Sequence, residues 1–216
     1  MASKKTLAAA ARRAQLIQVG RQVFAENGYE ATSVEEIASR AKVSKPIVYE
    51  HFGGKEGLYA VVVDREMEYV IRVISEALSA GSPRERAEQA ALAFLTWVRD
   101  NPDGFAVLTH DAPTTTSSTS GFSSLINEVA HRVSDVFAEA FKEAGYDPDI
   151  APIYAHALIG MVTLVGQWWS VVRKPSVEKV ASHIVALAWM GLRNLPEKPD
   201  PIGARKSRSP LDEVTR

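Results

Sequence analysis

The sequence predicts an all-α protein of two helical domains, a small one over residues 9–56 and a larger one over 57–195, followed by a tail at 196–216 expected to be disordered. Three observations predict it. Apolar residues recur at helical spacing along most of the chain, as in Leu16, Val19, Gly20, Val23 and Phe24, or Leu125, Val129, Val133, Val136 and Phe137. Helix start and stop signals punctuate those runs: Ser33, Ser44 and Ser82-Pro83 at starts, Gly28 and Gly145 at ends. The stretch Ser33–Phe52 (SVEEIASRAKVSKPIVYEHF) reads as two short helices joined by a tight turn.

Composition narrows the class. The 216 residues are 46% hydrophobic and 24% charged, as in an ordinary globular protein. With no cysteine there is no disulfide, thiolate metal site or Cys nucleophile, which fits a reducing cytoplasm. The net charge of −1 is unevenly placed. Residues 1–55 hold nine Lys/Arg against five Glu, the rest sixteen basic against twenty-one acidic residues. A basic head on a slightly acidic body suits phosphate binding at one end, though Lys4 and Lys5 also fit a solvated tail. MASKKTLAAAARR lacks an apolar core followed by a cleavage site, so no signal peptide is expected.

In chain order, residues 1–8 are expected to be mobile and the first helix to run from about Ala9 to Asn27, stopped by Gly28. Ser33 with Glu36 forms a capping box for the second helix. Ile37 and Ala38 face inward, Ala41-Lys42-Val43 is the turn, and Val43 plugs the space between the helices. Ser44 caps the third helix and Pro46 falls in its first turn, where a missing N–H costs nothing. Val48 points inward and Phe52 anchors the end. This is a helix-turn-helix signature; a plain helix hairpin within a bundle is the alternative.

A long helix over 55–79 then reaches from the head into the body. Ser82 and Pro83 start the next, which runs to Asp100, and a short helix covers 103–110. The polar run DAPTTTSSTSG at 111–121 is a flexible connection or a lid. Helices follow at Phe122–Ala144, Ile150–Val172 and Ser176–Leu192. The 23 residues of Ile150–Val172 contain no Asp, Glu, Lys or Arg. That length could span a bilayer. Pro152, His156, Thr163, Gln167 and Ser170 favour a helix buried nearly all round, most easily at a dimer seam.

The run FAENGYEATSVEEIASRAKVSKPIVYEHFGGKEGLYAVV, with its Gly-Tyr, Thr-Ser, Ile-Ala, Val-Ser, Tyr-x-His-Phe and Lys-Glu pairs, resembles the DNA-binding domain of TetR (tetracycline-repressor-like) bacterial transcriptional regulators. The resemblance covers about residues 10–65. Beyond that the chain is similar only in being helical and of suitable length. It implies an N-terminal three-helix helix-turn-helix domain whose third helix reads an operator. It also implies a C-terminal helical domain for ligand binding and for dimerisation through the last two long helices.

The DNA-contact candidates are Thr32, Ser33, Lys42, Ser44, Lys45, Pro46, Ile47, Tyr49, His51 and Lys55. Thr32 and Ser33 place hydroxyls and N–H groups at a helix start, a natural phosphate site. Lys45 can reach a guanine edge or a phosphate, or serve as a plain surface lysine. By resemblance, Tyr49 and His51 match phosphate-contacting positions and Lys55 matches a lysine that grips the backbone. An N-terminal arm bearing Lys4, Lys5, Arg12 or Arg13 could touch the minor groove. Two departures stand out. Lys42 occupies the turn position usually held by Gly, so it must take a left-handed conformation costing roughly 1 kcal/mol. Pro46-Ile47 replaces Gly-Thr, so Ile47 either meets a thymine methyl or is buried.

In the body, Trp97, Phe105, Phe122, Phe137, Met161, Trp168 and Trp169 predict a large apolar interior. Among them His110, Asn127, His131, His156 and Gln167 could orient a ligand. The ligand-binding candidates are Trp97, Phe105, His110, Phe122, Asn127, Phe137, Met161, Gln167 and Trp168; ordinary core is the other reading of each. The histidines lack a metal-like spacing, and no nucleophile elbow, P-loop or carboxylate pair in an apolar run is present. No metal, cofactor or catalytic residue is therefore expected. The expected protein is a cytoplasmic homodimeric regulator, a repressor released from a palindromic double-stranded DNA operator by a small apolar effector. The alternative is a helical carrier or enzyme that retains the fold without DNA binding. In the tail, Arg205, Lys206 and Arg208 either attract DNA non-specifically or merely solvate it.

Overall fold

The computed structural model describes residues 4–109 and 121–193, all helical in their regular parts. The helices are α1 (Lys4–Ala31), α2 (Val34–Arg40), α3 (Lys45–Phe52), α4 (Lys55–Ala77), α5 (Pro83–Asp100), α6 (Pro102–Thr109), α7 (Gly121–Ala144), α8 (Ala151–Val172) and α9 (Val177–Arg193). A 3-10 turn at Pro148–Ile150 leads into α8. The tail beyond Arg193 and most of the polar run at 111–121 lie outside the described residues.

The first helix starts earlier than the sequence suggests, at Lys4 instead of Ala9. Four consecutive alanines at 8–11, the best helix formers, carry the helix outward without tertiary support. Leu7, on that extension, is 60% exposed. At the other end Gly28 takes φ 74°, so the regular helix stops there as expected and one further turn follows. Ser33 caps α2 by accepting from the Glu36 N–H at 3.1 Å. Only half of the expected capping box forms, because the Glu36 carboxylate instead accepts from Asn27 and Arg40. Ser44 stands at the N-cap of α3 with its hydroxyl unused for capping. Lys42 adopts φ 54°, the left-handed turn expected of it. The complete capping box lies further on, at Ser82 and Glu85 with Pro83 in the first turn of α5.

There are two cores. The head core joins Leu16, Val23, Phe24, Ile37, Ala38, Ala41, Val48, Leu58 and Val62, all buried. The body core runs through α4, α5, α7, α8 and α9. Two elements belong to both. On α4, Leu58, Tyr59 and Val62 are in the head and Val70 and Ile74 in the body. On α6, Val107 is in the head core while Phe105 and Leu108 are in the body core. The Tyr59 hydroxyl donates to the Val107 carbonyl at 3.4 Å, tying the two rods together.

Within one chain, helix α8 is buried on one side only. Its inner side carries Ala155, Ile159, Val162 and Trp169, and the Trp169 indole N–H donates to the Pro175 carbonyl at 2.7 Å. Its outer side leaves Ile153, Leu164, Trp168 and Val171 exposed, continued on α9 by Leu187 and Met190. The segment Pro148–Val172 is long and apolar enough to cross a membrane by length and composition alone. Its inner side is instead built into a packed helical body.

Candidate functional site

On α3, Lys45, Pro46, Tyr49 and Glu50 are exposed while Val48 is fully buried. Helical periodicity puts residues 45, 46 and 49 on one outward face. Ser44 and Lys42 extend that face from the turn, both exposed. Ile47 is half-buried against the head core, between the two alternatives its sequence left open. His51 is half-buried, with its ring 6.1 Å from that of Phe52, and Arg13 lies over the other ring's face at 4.8 Å. Arg12 donates to Gln15, which donates to the Ala41 carbonyl at the turn. The base of α1 is thus fastened to the helix-turn-helix pair.

Two candidates are engaged inside the protein. Thr32 is buried, its hydroxyl donating to the Gly28 carbonyl at 2.7 Å and its N–H to the Tyr29 carbonyl. It closes the bend after α1, with that hydroxyl hydrogen-bonded inside the chain. Lys55 donates to the Tyr29 carbonyl at 3.0 Å and sits 4.3 Å from the centre of the Tyr29 ring, joining the start of α4 to the end of α1. Lys45 forms an ion pair with Glu35, whose hydrogen bond to it holds the Glu35 carboxyl below its ordinary range. Arg40 is likewise tied to Glu26 and Glu36. A phosphate approaching Lys45 therefore replaces an exposed carboxylate, an exchange of small net cost at a solvated site.

The body contains a narrow apolar cleft between α4, α5, α7 and α8. Its walls are Val70 and Ile74 of α4 with Leu78 just after it, Ala87, Ala90, Ala91 and Phe94 of α5, Leu125, Ile126, Val129, Val133, Val136 and Phe137 of α7, and Leu158, Ile159 and Val162 of α8. Pro83, Arg86 and Thr163 complete it. Of the ligand candidates whose side chains are described, only Phe137 lines this cleft. Trp97 and Phe105 are buried one layer behind it, their rings 5.9 and 6.4 Å from that of Phe94. Met161 is half-buried against the body core, and Gln167 is half-buried further along α8. Trp168 points outward at 52% exposure. Asn127 borders a separate polar groove with His131, Asp135 and His156. His110 and the side chain of Phe122 lie outside the described residues.

Reasoning from residue size selected aromatics, whereas the cleft is built mainly of Val, Ile, Leu and Ala. The signal that could have found it is the small-residue run Ala87, Ala90, Ala91 on α5 opposite the branched positions of α7, with Arg86 as a lone cation beside it.

Comparison with known proteins agrees with this two-part organisation. Residues 16–62 match the family described as bacterial regulatory proteins, tetR family. Residues 73–204 match the tetracyclin repressor-like C-terminal domain. The transcriptional activator FasR of Mycolicibacterium smegmatis is 27% identical over 187 residues, covering 86% of this chain and 84% of that protein. A TetR-like regulator from Rhodococcus sp. RHA1 superposes with a TM-score of 0.69 at 26% identity, over 86% of this chain and 98% of its own. AibR, solved in complex with isovaleryl coenzyme A and operator DNA, shares the fold, with a TM-score of 0.69 at 22% identity over 82% of this chain and 97% of its own. With both its head and the greater part of its body matched, the chain belongs to the TetR family of DNA-binding transcriptional regulators.

Proposed function

We propose that the chain acts in the cytoplasm as a homodimeric repressor that holds a palindromic operator and releases it when a small apolar molecule enters the body cleft. The observation that carries this reading is α4. One end of this helix is built into the head core through Leu58, Tyr59 and Val62, and its other half forms a wall of the cleft through Val70, Ile74 and Leu78. A ligand that fits the cleft better when α4 is tilted shifts the population toward a head orientation that no longer fits DNA.

The exposed apolar stripe on α8 and α9 supports the dimer. Leu164 at 67%, Val171 at 84% and Leu187 at 69% exposure would be covered by the same stripe of a second copy. Two copies set two α3 helices about one DNA turn apart, roughly 34–36 Å, for two half-sites. AibR, with its bound acyl thioester and operator, supports the pairing of effector and DNA within this fold. Base contacts are assigned to Lys45, Pro46 and Ile47. Phosphate contacts are assigned to Ser33, Lys42, Ser44, Tyr49 and His51, and to Lys55 once it leaves Tyr29.

The test is a gel-shift titration with DNA from immediately upstream of the chain's own gene, at low and physiological salt. A salt-sensitive complex of one dimer per site is expected, weakened at least tenfold by Tyr49→Ala. Absence of any shift at low salt rejects the reading. Transcription in vitro from the same fragment fixes the sign: added protein must lower the transcript for a repressor and raise it for an activator.

A further inference from the structure

Between Ser33 and Phe52 the helix-turn-helix unit holds three cations, Arg40, Lys42 and Lys45. Two of them are tied to carboxylates. Arg40 pairs with Glu26 of α1 at 2.6 Å and with Glu36 of its own helix at 2.8 Å, which stitches α2 to α1. Lys45 of α3 pairs with Glu35 of α2, across the turn that joins the two helices. Lys42, exposed in that turn, has no carboxylate partner among the described residues. The Lys45–Glu35 pair differs from the Arg40 pairs in its place. It lies on the outward face of α3, beside Pro46 and Tyr49, all of them exposed.

Backbone phosphates and base edges make different demands on such a lysine. Phosphate attraction is charge against charge, and each phosphate neutralised steepens the salt dependence of binding by about 0.9 in log–log slope. Beside Glu35, Lys45 presents almost no net charge to a phosphate at a distance. To grip one it must exchange one anion for another and leave the Glu35 carboxylate bare beside the duplex, where the phosphates repel it. A guanine edge offers the uncharged acceptors O6 and N7. The ammonium has three N–H donors, so with one on Glu35 two remain for those acceptors and the pair stays intact. Every stretch of duplex offers phosphates, and only some offer guanine in reach of Lys45. Penalising the common partner is a route to discrimination. The two side chains are 51% and 59% exposed, so solvent screens the pair and the effect is a few-fold.

We propose that Glu35 is a specificity-determining residue: it cancels the charge of Lys45 toward backbone phosphates and leaves the remaining donors for uncharged base edges. This rests on Lys45 being a base contact.

The test is fluorescence anisotropy with the purified full chain, on the fragment upstream of its own gene and on a scrambled duplex of the same length and composition. On the scrambled duplex, Glu35→Gln should steepen the salt slope by about 0.9, a gain in affinity of about 3.5-fold at 50 mM salt relative to 200 mM. On the upstream fragment, where Lys45 is already engaged with a base, the gain should be smaller, so the preference for that fragment falls about twofold or more at 50 mM. In the Lys45→Met background Glu35→Gln should do neither. Glutamine keeps the size of the side chain, and circular dichroism confirms the fold of each variant. An unchanged slope on the scrambled duplex, the same change in the Lys45→Met background, or an equal gain on both duplexes would overturn the proposal. A wild-type chain that binds both duplexes equally sinks the operator reading instead, and the scrambled-duplex slopes then still decide whether Glu35 masks Lys45.

Discussion

Arg21→Met should destabilise the protein far more than Glu66→Gln, although the two side chains form one ion pair. Arg21 of α1 places its Nε 2.9 Å from Glu66 Oε1 of α4, where the side chains are 16% and 13% exposed. Its Nη2 donates to Asn101 Oδ1 at 3.4 Å. The Nε proton does not line up with an acceptor, so the contact is Coulombic more than hydrogen-bonded. Burial pushes the Glu66 carboxyl above its ordinary range; Arg21 pulls it down and Asp103 pushes it further up. Because burial wins, the ionised Glu66 is a net cost in the folded state even with its cation present. Glu66→Gln removes that cost together with the attraction, and should leave stability within about 1 kcal/mol of wild type. Arg21→Met leaves a buried carboxylate facing Asp103. Breaking a fully buried pair costs about 3–5 kcal/mol, reduced here to about 2–3 by residual exposure. For a chain of this size that lowers Tm by about 4–12 °C. The double variant should recover most of the loss. The pH dependence has a definite sign. With its folded pKa raised, Glu66 binds its proton more tightly when folded, so its penalty is complete above the raised pKa and fades as pH falls toward the ordinary carboxyl range. Arg21→Met should therefore regain stability relative to wild type as pH is lowered from neutrality toward the ordinary carboxyl range. Differential scanning fluorimetry at fixed protein concentration reads the three variants against wild type. Equal losses for the two single variants, or a double variant no better than Arg21→Met, would refute the reasoning.

Other outcomes follow from single contacts. Lys42→Gly should raise Tm by a few degrees, since it relieves a left-handed non-glycine residue costing about 1 kcal/mol. Ser82→Ala should lower Tm by a similar amount through loss of a complete capping box worth about 1 kcal/mol. Leu164→Glu with Leu187→Glu should give a folded monomer by light scattering, with operator affinity reduced at least a hundredfold; a dimer retained by the double variant would place the seam elsewhere.

How much of this was legible in the sequence depends on whether the signal was local. The bend at Gly28, the left-handed Lys42 and the start of α5 at Ser82-Pro83 are written in one to four residues, and the structure has them where expected. The start of α1 was misjudged because an alanine run makes helix without a packing partner to mark it. The inward turn of Thr32 depends on the Gly28 carbonyl reaching back to it, which follows from the bend and not from a motif. Val107 looked like any apolar residue of a short helix. Its place in the head core depends on where α6 docks, a contact between segments far apart in sequence. An apolar pocket in the body was expected, but its lining was not legible for the same reason: aromatic side chains mark the densest packing, and the cleft opens where smaller ones face each other.

The same junction decides how a ligand 20 residues away along the chain could reach the DNA. Gly104 of α6 lies so close to α4 that a Cβ there would overlap the Glu66 carboxylate and approach Arg21 Nη2 to 3.0 Å. Such contact makes Glu66 the natural pivot of α4. From Glu66 the helix extends about 12 Å to Ile74 in the cleft and about 16 Å to Lys55 in the head, at 1.5 Å per residue. On the proposed mechanism, a ligand that displaces Ile74 by about 1 Å swings the Lys55 end by about 1.4 Å, and in the proposed dimer the spacing of the two α3 helices changes by about 3 Å. Gly104→Ala tests the pivot without any ligand. The added methyl displaces the Glu66 carboxylate, the free end of a flexible side chain, and the pivot requires α4 to follow it. If α4 follows, operator affinity falls at least tenfold while Tm stays within a few degrees. If Gly104→Ala binds operator as tightly as wild type, the head does not move with α4 about this point, and the coupling must run through α6 and Val107 instead.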